Sequence, residues 1–244
     1  MPLFHAQGAR LGHPAADSIR NANGSSRAIS AADYAAFWRD IAPMLNEWAR
    51  DPRLDLNPAF LAALLAKESA FNPRAVSPTG ALGSAQLTVR ADTDLRTRAG
   101  TPFFSWMLPE IEAWPRDTAF RSAPSTHEAA GRLAAAPDAA ARDYLFDPVL
   151  AARAATFWLR MLEAIWTTDT WPGAYGSLAR ARLNQGSPLA ERQLLELAVV
   201  SYNSGVEYVR GLVQQWGPTW TEHLDPEPAD YLERITTYTL LFQR

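Results

Sequence analysis

Apolar residues along most of the chain recur every three or four positions, which is the spacing of helices that bury one face. Ser30 and Asp33 have the spacing of a helix-capping pair and predict that a helix begins there. Pro43 is expected to kink or split this helix, because proline cannot donate the backbone hydrogen bond of a helix interior. The residues expected to face inward are Phe37, Trp38, Ile41, Leu45 and Trp48.

A second helix start stands at Asn57-Pro58, where a capping side chain precedes proline at the first helical position. Asn72-Pro73 is expected to end this helix. Further helices are predicted over residues 148–165, 191–204, 206–216 and 228–242. No segment alternates between apolar and polar residues for long enough to require a sheet. The predicted fold class is therefore mainly α, with at most a short β element near residues 86–106.

The segments outside these helices set the predicted domain organisation. Residues 1–29 are rich in Gly, Ser, Asn and Ala without a sustained period, which predicts a flexible lead-in. Residues 30–244 are long and apolar enough to form one domain around its own core. Residues 88–144 mix Pro, Trp, Phe, Ala and Arg without a firm period, so we interpret them as an insertion into that domain.

Composition and charge exclude several classes of protein. The chain has no cysteine, so disulfides, thiolate metal sites and cysteine nucleophiles are excluded. The net charge is -3 and the arginines are scattered, whereas nucleic-acid binders carry a concentrated basic face. We therefore expect no nucleic-acid partner. The histidines lack the spacing of a metal site, and no metal or other cofactor is expected; they are His5, His13, His127 and His223.

The sequence also bears on location. No apolar run approaches the length of a membrane span. Residues 1–30 lack the basic start and apolar stretch of a standard signal peptide. If the protein acts outside the cytoplasm, this N-terminus implies another export route, a leader that has been removed, or a place within a longer chain.

Glu68 is the most informative single residue. It lies seven, four and three positions after Leu61, Leu64 and Leu65, so the four side chains share one helical face. Burial of a carboxylate disfavours its charged form and raises its pKa, as a general acid near neutral pH requires. The spacing alone leaves a second interpretation open, in which Glu68 faces solvent at a helix end beside Lys67.

Three motifs follow one another along the chain. They are ESAFNP at residues 68–73, SPTGALGSAQ at 77–86 and SYNSG at 201–205. Weaker similarities follow at LFDP, residues 145–148, and at Glu227 and Tyr231. Together they resemble the signature of the soluble lytic transglycosylase family over roughly residues 57–244. The resemblance implies a lysozyme-like α fold, with residues 88–144 inserted between the second and third motifs.

The resemblance also implies roles for individual residues. Glu68 would be the single catalytic acid/base, and Ser77 and Tyr202 would support its carboxyl group. The residues expected to bind substrate are Gln86, Asn203, Glu227 and Tyr231. The family usually has Leu-Met before its cleft glutamine, whereas Ser84 and Ala85 stand here. These smaller side chains are expected to widen the cleft wall. Ser201 replaces the alanine that usually opens the third motif.

The implied reaction cleaves the glycan strands of peptidoglycan. No second acid stands in the three main motifs, whereas ordinary glycosidases place two carboxylates across the bond. The expected chemistry is therefore substrate-assisted and leaves 1,6-anhydromuramoyl ends. Two alternatives stay open: a muramidase on the same scaffold, with Asp92 or Asp94 positioning water, and a non-catalytic glycan-binding module. The expected location is the periplasm or cell wall, and a protein partner from a secretion apparatus, a phage or an inhibitor stays open.

Overall fold

The structure is a computed structural model that describes residues 4–5, 10–15, 18–19, 29–122, 125–169 and 173–243. Most of the predicted lead-in, 1–29, lies outside these residues. The chain divides into two compact units. The first unit comprises Met1–Pro14, Trp48–Ala63 and Leu159–Arg244, and the second comprises Ala15–Glu47 and Leu64–Trp158.

Helices account for most of the described chain, which confirms the mainly α fold class. Those that begin before residue 147 are α1 (Ala31–Ala36), α2 (Ala42–Trp48), α3 (Pro58–Ser69), α4 (Val89–Ala99), α5 (Leu108–Ala113), α6 (Thr118–Arg121), α7 (Thr126–Ala135) and α8 (Ala139–Arg142). Those that follow are α9 (Pro148–Thr167), α10 (Tyr175–Leu183), α11 (Glu191–Ser204), α12 (Val206–Trp216) and α13 (Pro226–Phe242). Short 3-10 turns lie at Ser105–Met107, Tyr144–Phe146 and Gly217–His223. None of the described helices is both long and apolar enough to cross a membrane.

The two predicted helix starts are confirmed. Ser30 Oγ accepts a hydrogen bond from the Asp33 backbone N–H at 3.0 Å, and Asn57 Oδ1 accepts one from the Ala59 N–H at 3.0 Å. The interruption near Pro43 takes the form of a π-helical turn, Phe37–Ile41, between α1 and α2. Pro43 follows this turn within the same continuous helical run, and the π-helical bonding before it, such as that from the Ala42 N–H to the Phe37 carbonyl, accommodates a residue that cannot donate an N–H.

Helix α3 is buried on every face for most of its length. All residues from Ala59 to Ala66 are at most 2% exposed. The helix ends before Asn72-Pro73, because Ala70 and Phe71 both take left-handed conformations, with φ of 55° and 66°. The chain therefore turns immediately after Glu68 and Ser69.

Residues 88–144 are more regular than the sequence indicated. The β element expected near 86–106 is wrong for most of its length, because α4 occupies Val89–Ala99. Among the described residues, strand pairing is limited to isolated bridges in the preceding loop, at Val76–Leu82 and Leu82–Leu87. Three of the other helices of this stretch, α5, α6 and α8, have six residues or fewer and are too short to show a period.

A buried charge cluster lies within the second unit. Asp92 and Asp143 are fully buried, and Arg121, which is 7% exposed, donates to both carboxylates. Arg96 and Arg116 also donate to Asp92, as does the Tyr144 hydroxyl at 2.6 Å. This burial raises the pKa of Tyr144 well above its usual value. The cluster joins α4, α6 and the 3-10 turn Tyr144–Phe146, so it holds together segments that the sequence left undefined.

Aromatic packing completes the core of this unit. Trp114 stacks on Phe157 of α9 with ring centroids 5.8 Å apart, and Trp106 meets the same ring edge-on at 5.5 Å. Phe37 of the π-helical turn packs on Phe71 at 4.3 Å. Trp114 is thus a core residue, whereas Trp106 is half-buried and packs at the edge of this core.

The first unit is built on α10 to α13, on the end of α9 and on the beginning of α3. Helix α11 packs against both α12 and α13. Phe4 is fully buried and packs against Phe60, and its carbonyl accepts a hydrogen bond from the Asn57 N–H at 2.8 Å. Helix α10 lies in a stretch for which the sequence predicted no helix.

Candidate active site

Glu68 lies in the last turn of α3, and its side chain is half-buried. The apolar stripe of Leu61, Leu64 and Leu65 does not by itself distinguish its face, because α3 is buried all round. Lys67 is also half-buried. Glu68 therefore stands at the junction between a dry helix and the turn that follows, and as a residue it is only half-buried. A proton donor needs such access to a large substrate.

The glycine-rich loop is tied directly to this helix end. Ser69, buried beside Glu68 in the chain, donates its hydroxyl hydrogen bond to the Ser84 carbonyl at 2.8 Å. Gly83 N–H donates to the Ala75 carbonyl at 2.8 Å. Gly83 has φ of 68°, and a Cβ there would lie 1.6 Å from the Leu145 carbonyl oxygen, so only glycine fits. The loop is thereby held in one conformation against α3.

Gln86 braces the same loop from its other end. Its side-chain Nε2 donates to the carbonyls of Gly83 at 2.8 Å and Ala75 at 3.2 Å, and its backbone is left-handed, with φ of 49°. The residue is 8% exposed. The amide nitrogen of Gln86 is thus engaged in loop structure, and its binding of substrate stays a prediction.

The hydroxyl of Ser77 also bonds within its own loop. It accepts from the Ala81 N–H at 2.9 Å and pairs with the Thr79 hydroxyl at 2.9 Å. The Ser77 carbonyl in turn pairs with His127 Nδ1 of α7 at 2.9 Å. The structure thus places Ser77 as an anchor of the turn after Glu68, and its support of the Glu68 carboxyl stays a prediction.

The expected widening of the cleft wall by Ser84 and Ala85 is wrong. Both side chains are fully buried, with no exposed surface. Shorter side chains at these positions change interior packing next to α3 and do not line an open wall. The Ser84 hydroxyl forms no hydrogen bond with any residue that the structure describes.

The remaining predicted residues lie in the first unit. Tyr202 and Asn203 stand in the last turn of α11 and are half-buried, and Asn203 Oδ1 accepts from the Ser204 hydroxyl at 2.8 Å. Glu227 and Tyr231 lie one helical turn apart on α13, which packs against α11. Glu227 is exposed, whereas Tyr231 is 3% exposed. Glu68, Ser77 and Gln86 are described in the second unit.

The departure at Ser201 has a packing explanation. Its hydroxyl accepts a hydrogen bond from the indole N–H of Trp166 at 3.0 Å, and both side chains are buried. Serine therefore satisfies a buried donor that alanine would leave without a partner.

The two aspartates considered as a second acid differ in their surroundings. Asp92 is fully buried, and its two carboxylate oxygens accept from Arg96, Arg116, Arg121 and Tyr144. It is the centre of a structural ion cluster and is not placed to activate water. Asp94, on the same helix, is half-buried.

The sequence interpretation assigned no role to two residues near the motifs, Ser69 and the α12 carboxylate Glu207. Ser69 follows Glu68 directly in the first motif, which was the available signal. Glu207 stands two residues after the third motif and accepts from the Tyr175 hydroxyl and from Arg210. The Tyr175 hydrogen bond lowers the pKa of Glu207 below its ordinary value. No sequence pattern joins Tyr175 to Glu207.

A protein-family model described as the transglycosylase SLT domain matches residues 44–106. The matched range contains Glu68, Ser77 and Gln86 and confirms the family resemblance predicted from the motifs. At the level of the family, it supports peptidoglycan cleavage of the lytic transglycosylase type. The range also includes residues 88–106, the first part of the predicted insertion. Comparisons with curated proteins and with solved structures each found no match.

Proposed function

We propose that the protein is a lytic transglycosylase that cleaves the β-1,4 bond between N-acetylmuramic acid and N-acetylglucosamine in peptidoglycan. The observation that carries the proposal is the position of Glu68. Inside the matched SLT-domain range, a half-buried glutamate lies in the last turn of a buried helix, and a glycine-rich loop is bonded to that helix end.

In the proposed mechanism, Glu68 first protonates the oxygen of the glycosidic bond as that bond breaks. The N-acetyl oxygen of the muramoyl residue attacks the anomeric carbon and holds it as a cyclic intermediate. The Glu68 carboxylate then takes the proton of the sugar's 6-hydroxyl, whose oxygen attacks the same carbon and displaces the N-acetyl oxygen. Glu68 ends protonated as it began, and the product carries a 1,6-anhydro ring.

The other residue roles in this proposal follow the family resemblance. Ser77 and Tyr202 support the Glu68 carboxyl group, and substrate binding falls to Gln86, Asn203, Glu227 and Tyr231. The state of Asp92 supports a single-acid reaction over a hydrolase, since both of its oxygens are occupied by buried donors. A hydrolase would need a different carboxylate to hold water.

The acid is tested by Glu68→Gln. The amide keeps the shape of the side chain but cannot donate the proton, so clearance of purified sacculi should fall to background while the melting temperature stays within a few degrees. Glu128→Gln is the matched control, because Glu128 is an exposed glutamate paired with exposed Arg132, and it should clear sacculi like the wild type. Lysis by Glu68→Gln at the wild-type rate would rule out the assignment.

The reaction type is tested by the product. An intramolecular attack by the 6-hydroxyl has a high effective concentration relative to water. The muropeptides released from a sacculus digest should therefore be one water lighter than hydrolysis products and should lack a new reducing end. Mass spectrometry separates the two products. Reducing-end muramic acid as the main product would instead identify a muramidase.

The supporting role of Tyr202 has its own test. Tyr202→Phe removes only the hydroxyl and should lower the rate and move the alkaline limb of the pH–rate profile, because that limb reports the loss of the protonated acid. Tyr208→Phe is the matched control. Tyr208 lies on α12, and the variant removes a hydroxyl that donates to the Asp225 carboxylate at 3.0 Å. An alkaline limb that stays in place in both Tyr202→Phe and Ser77→Ala would contradict the supporting roles.

A further inference from the structure

The end of α12 and the 3-10 turn after it carry a stacked aromatic pair at the surface of the first unit. Trp216 is the last residue of α12, and His223 is the last residue of the turn Gly217–His223. Their ring centroids are 3.7 Å apart and their planes differ by 14°. We call this pair the Trp216–His223 platform.

Core packing does not explain the position of the Trp216 ring. Trp216 is 40% exposed, whereas Trp220, which lies within the turn Gly217–His223, is 2% exposed and fills the core. The buried face of α12 is already supplied by Val209 and Val213. Gly217, with φ of 56°, ends the helix and lets the turn bring His223 back over the indole. The stack fixes the orientation of an aromatic ring that solvent reaches.

The polar groups of the platform have no partner within the described part of the chain. No described residue forms a hydrogen bond with the Trp216 indole N–H or with either His223 ring nitrogen. Gln215 and Glu222, the chain neighbours of the pair, are exposed, and their side chains likewise bond to no described residue. A flat apolar ring therefore stands among unoccupied hydrogen-bond donors and acceptors.

This combination fits one class of ligand closely. A pyranose ring presents an apolar face of C–H groups, which stacks on an aromatic ring, and a rim of hydroxyl and amide groups, which bond polar side chains. The chain carries a net charge of -3, so uncharged contacts of this kind suit attachment to an anionic wall better than electrostatic attraction does.

We propose that the Trp216–His223 platform is a second, non-catalytic binding site for peptidoglycan glycan strands. The ligand class rests on the proposed function, but the site does not use Glu68 or any residue assigned to the reaction. Such a site would hold the enzyme on its polymeric substrate between cleavage events.

The test measures binding in the Glu68→Gln background, where the substrate is not consumed. The probes are purified sacculi in a co-sedimentation assay and peptide-free glycan strands in calorimetry. Trp216→Ala should weaken the apparent Kd for both probes about fivefold, the effect of losing one aromatic contact. Trp216→Phe keeps a ring, so its apparent Kd should lie between those of the parent and of Trp216→Ala. His223→Ala removes the ring that backs the indole and should also weaken binding.

Leu240→Ala is the matched control, because Leu240 is a large apolar residue of the same unit that is 46% exposed. It should bind like the parent. Equal binding by the parent and Trp216→Ala would overturn the proposal, as would an equal loss in Leu240→Ala. If Trp216→Ala melts early, Trp216→Phe and His223→Ala decide the question.

Two further outcomes are informative. The first shows whether the platform binds glycan or a second copy of the chain, and the second separates the platform proposal from the proposed function. Sedimentation in which Trp216→Ala turns a dimer into a monomer, with glycan binding unchanged, would assign the platform to a second copy of the chain and overturn the proposal. Retained glycan binding through Trp216 in a protein whose wild type does not clear sacculi would support the platform while contradicting the proposed function.

Discussion

At the scale of single residues, two buried serines of the first two motifs differ in whether their hydroxyls have partners. Ser69 donates to the Ser84 carbonyl at 2.8 Å, whereas the Ser84 hydroxyl bonds to no described residue. Ser69→Ala should therefore lower the free energy of unfolding by about 1–3 kcal/mol, because it leaves a buried carbonyl without its donor. Ser84→Ala should leave it unchanged or raise it. Thermal or urea unfolding compares the pair, and a larger loss in Ser84→Ala would contradict the hydrogen-bond assignment.

Tyr238 offers a second residue-scale prediction, on pH. It is fully buried, and burial raises its pKa from 10.0 to about 12. A raised folded-state pKa means that the folded protein holds the proton more tightly, so this stabilisation is complete below pH 10 and is lost as the pH rises towards 12. Tyr238→Phe should lose less stability than the wild type over that window. An equal loss of stability in the two proteins over the same pH window would contradict this prediction.

At the scale of elements, the buried ion cluster carries the clearest prediction. Arg121 bonds Asp143 through two nitrogens at 2.9 Å and also contacts Asp92, and both carboxylates are fully buried. Arg121→Met should lower the free energy of unfolding by about 3–5 kcal/mol, because it leaves buried charges without their partner.

The matched control for Arg121→Met is Arg132→Met. Arg132 pairs with Glu128 one turn away on α7, and both side chains are largely exposed. Exposed pairs of this kind contribute about 0–1 kcal/mol, so the control should melt near the wild type. Equal melting temperatures for the two variants would mean that the cluster does not hold α4 and α6 together.

The same elements mark the limit of what the sequence could predict. Helix starts at Ser30 and Asn57 were predictable because a cap is a local interaction between a side chain and a backbone group two or three residues away. The short helices within residues 88–144 were not predictable from the sequence. Helices α6 and α8 have four residues each and owe their positions to ion pairs such as Arg121–Asp143. Helices of one turn show no period, and pairs distant in sequence leave no pattern.

At the scale of the whole molecule, the order of the motifs was readable in the sequence but their assembly was not. The first two motifs lie in the second unit and the third in the first unit. Periodicity indicated that Glu68 shared a face with leucines, yet burial of all faces of α3 made that face unremarkable. The family match covers residues 44–106 and so includes Glu68, but it assigns no role to that residue, and the catalytic role of Glu68 stays a prediction.

Net charge gives the last prediction, because it concerns how the whole protein meets its substrate. A basic enzyme is drawn to an anionic wall by its charge, and salt screens that attraction over a distance of about 10 Å at 0.1 M ionic strength. This chain carries a net charge of -3, so its attachment must depend on shaped, largely uncharged contacts. Raising NaCl from about 50 mM to about 500 mM should therefore leave the rate of sacculus clearance unchanged or raise it, since salt screens mutual repulsion. A strongly basic lysozyme in the same assay should slow down over that range. A steep loss of rate in this protein as well would show that a local basic surface, and not groove contacts, holds it on the wall.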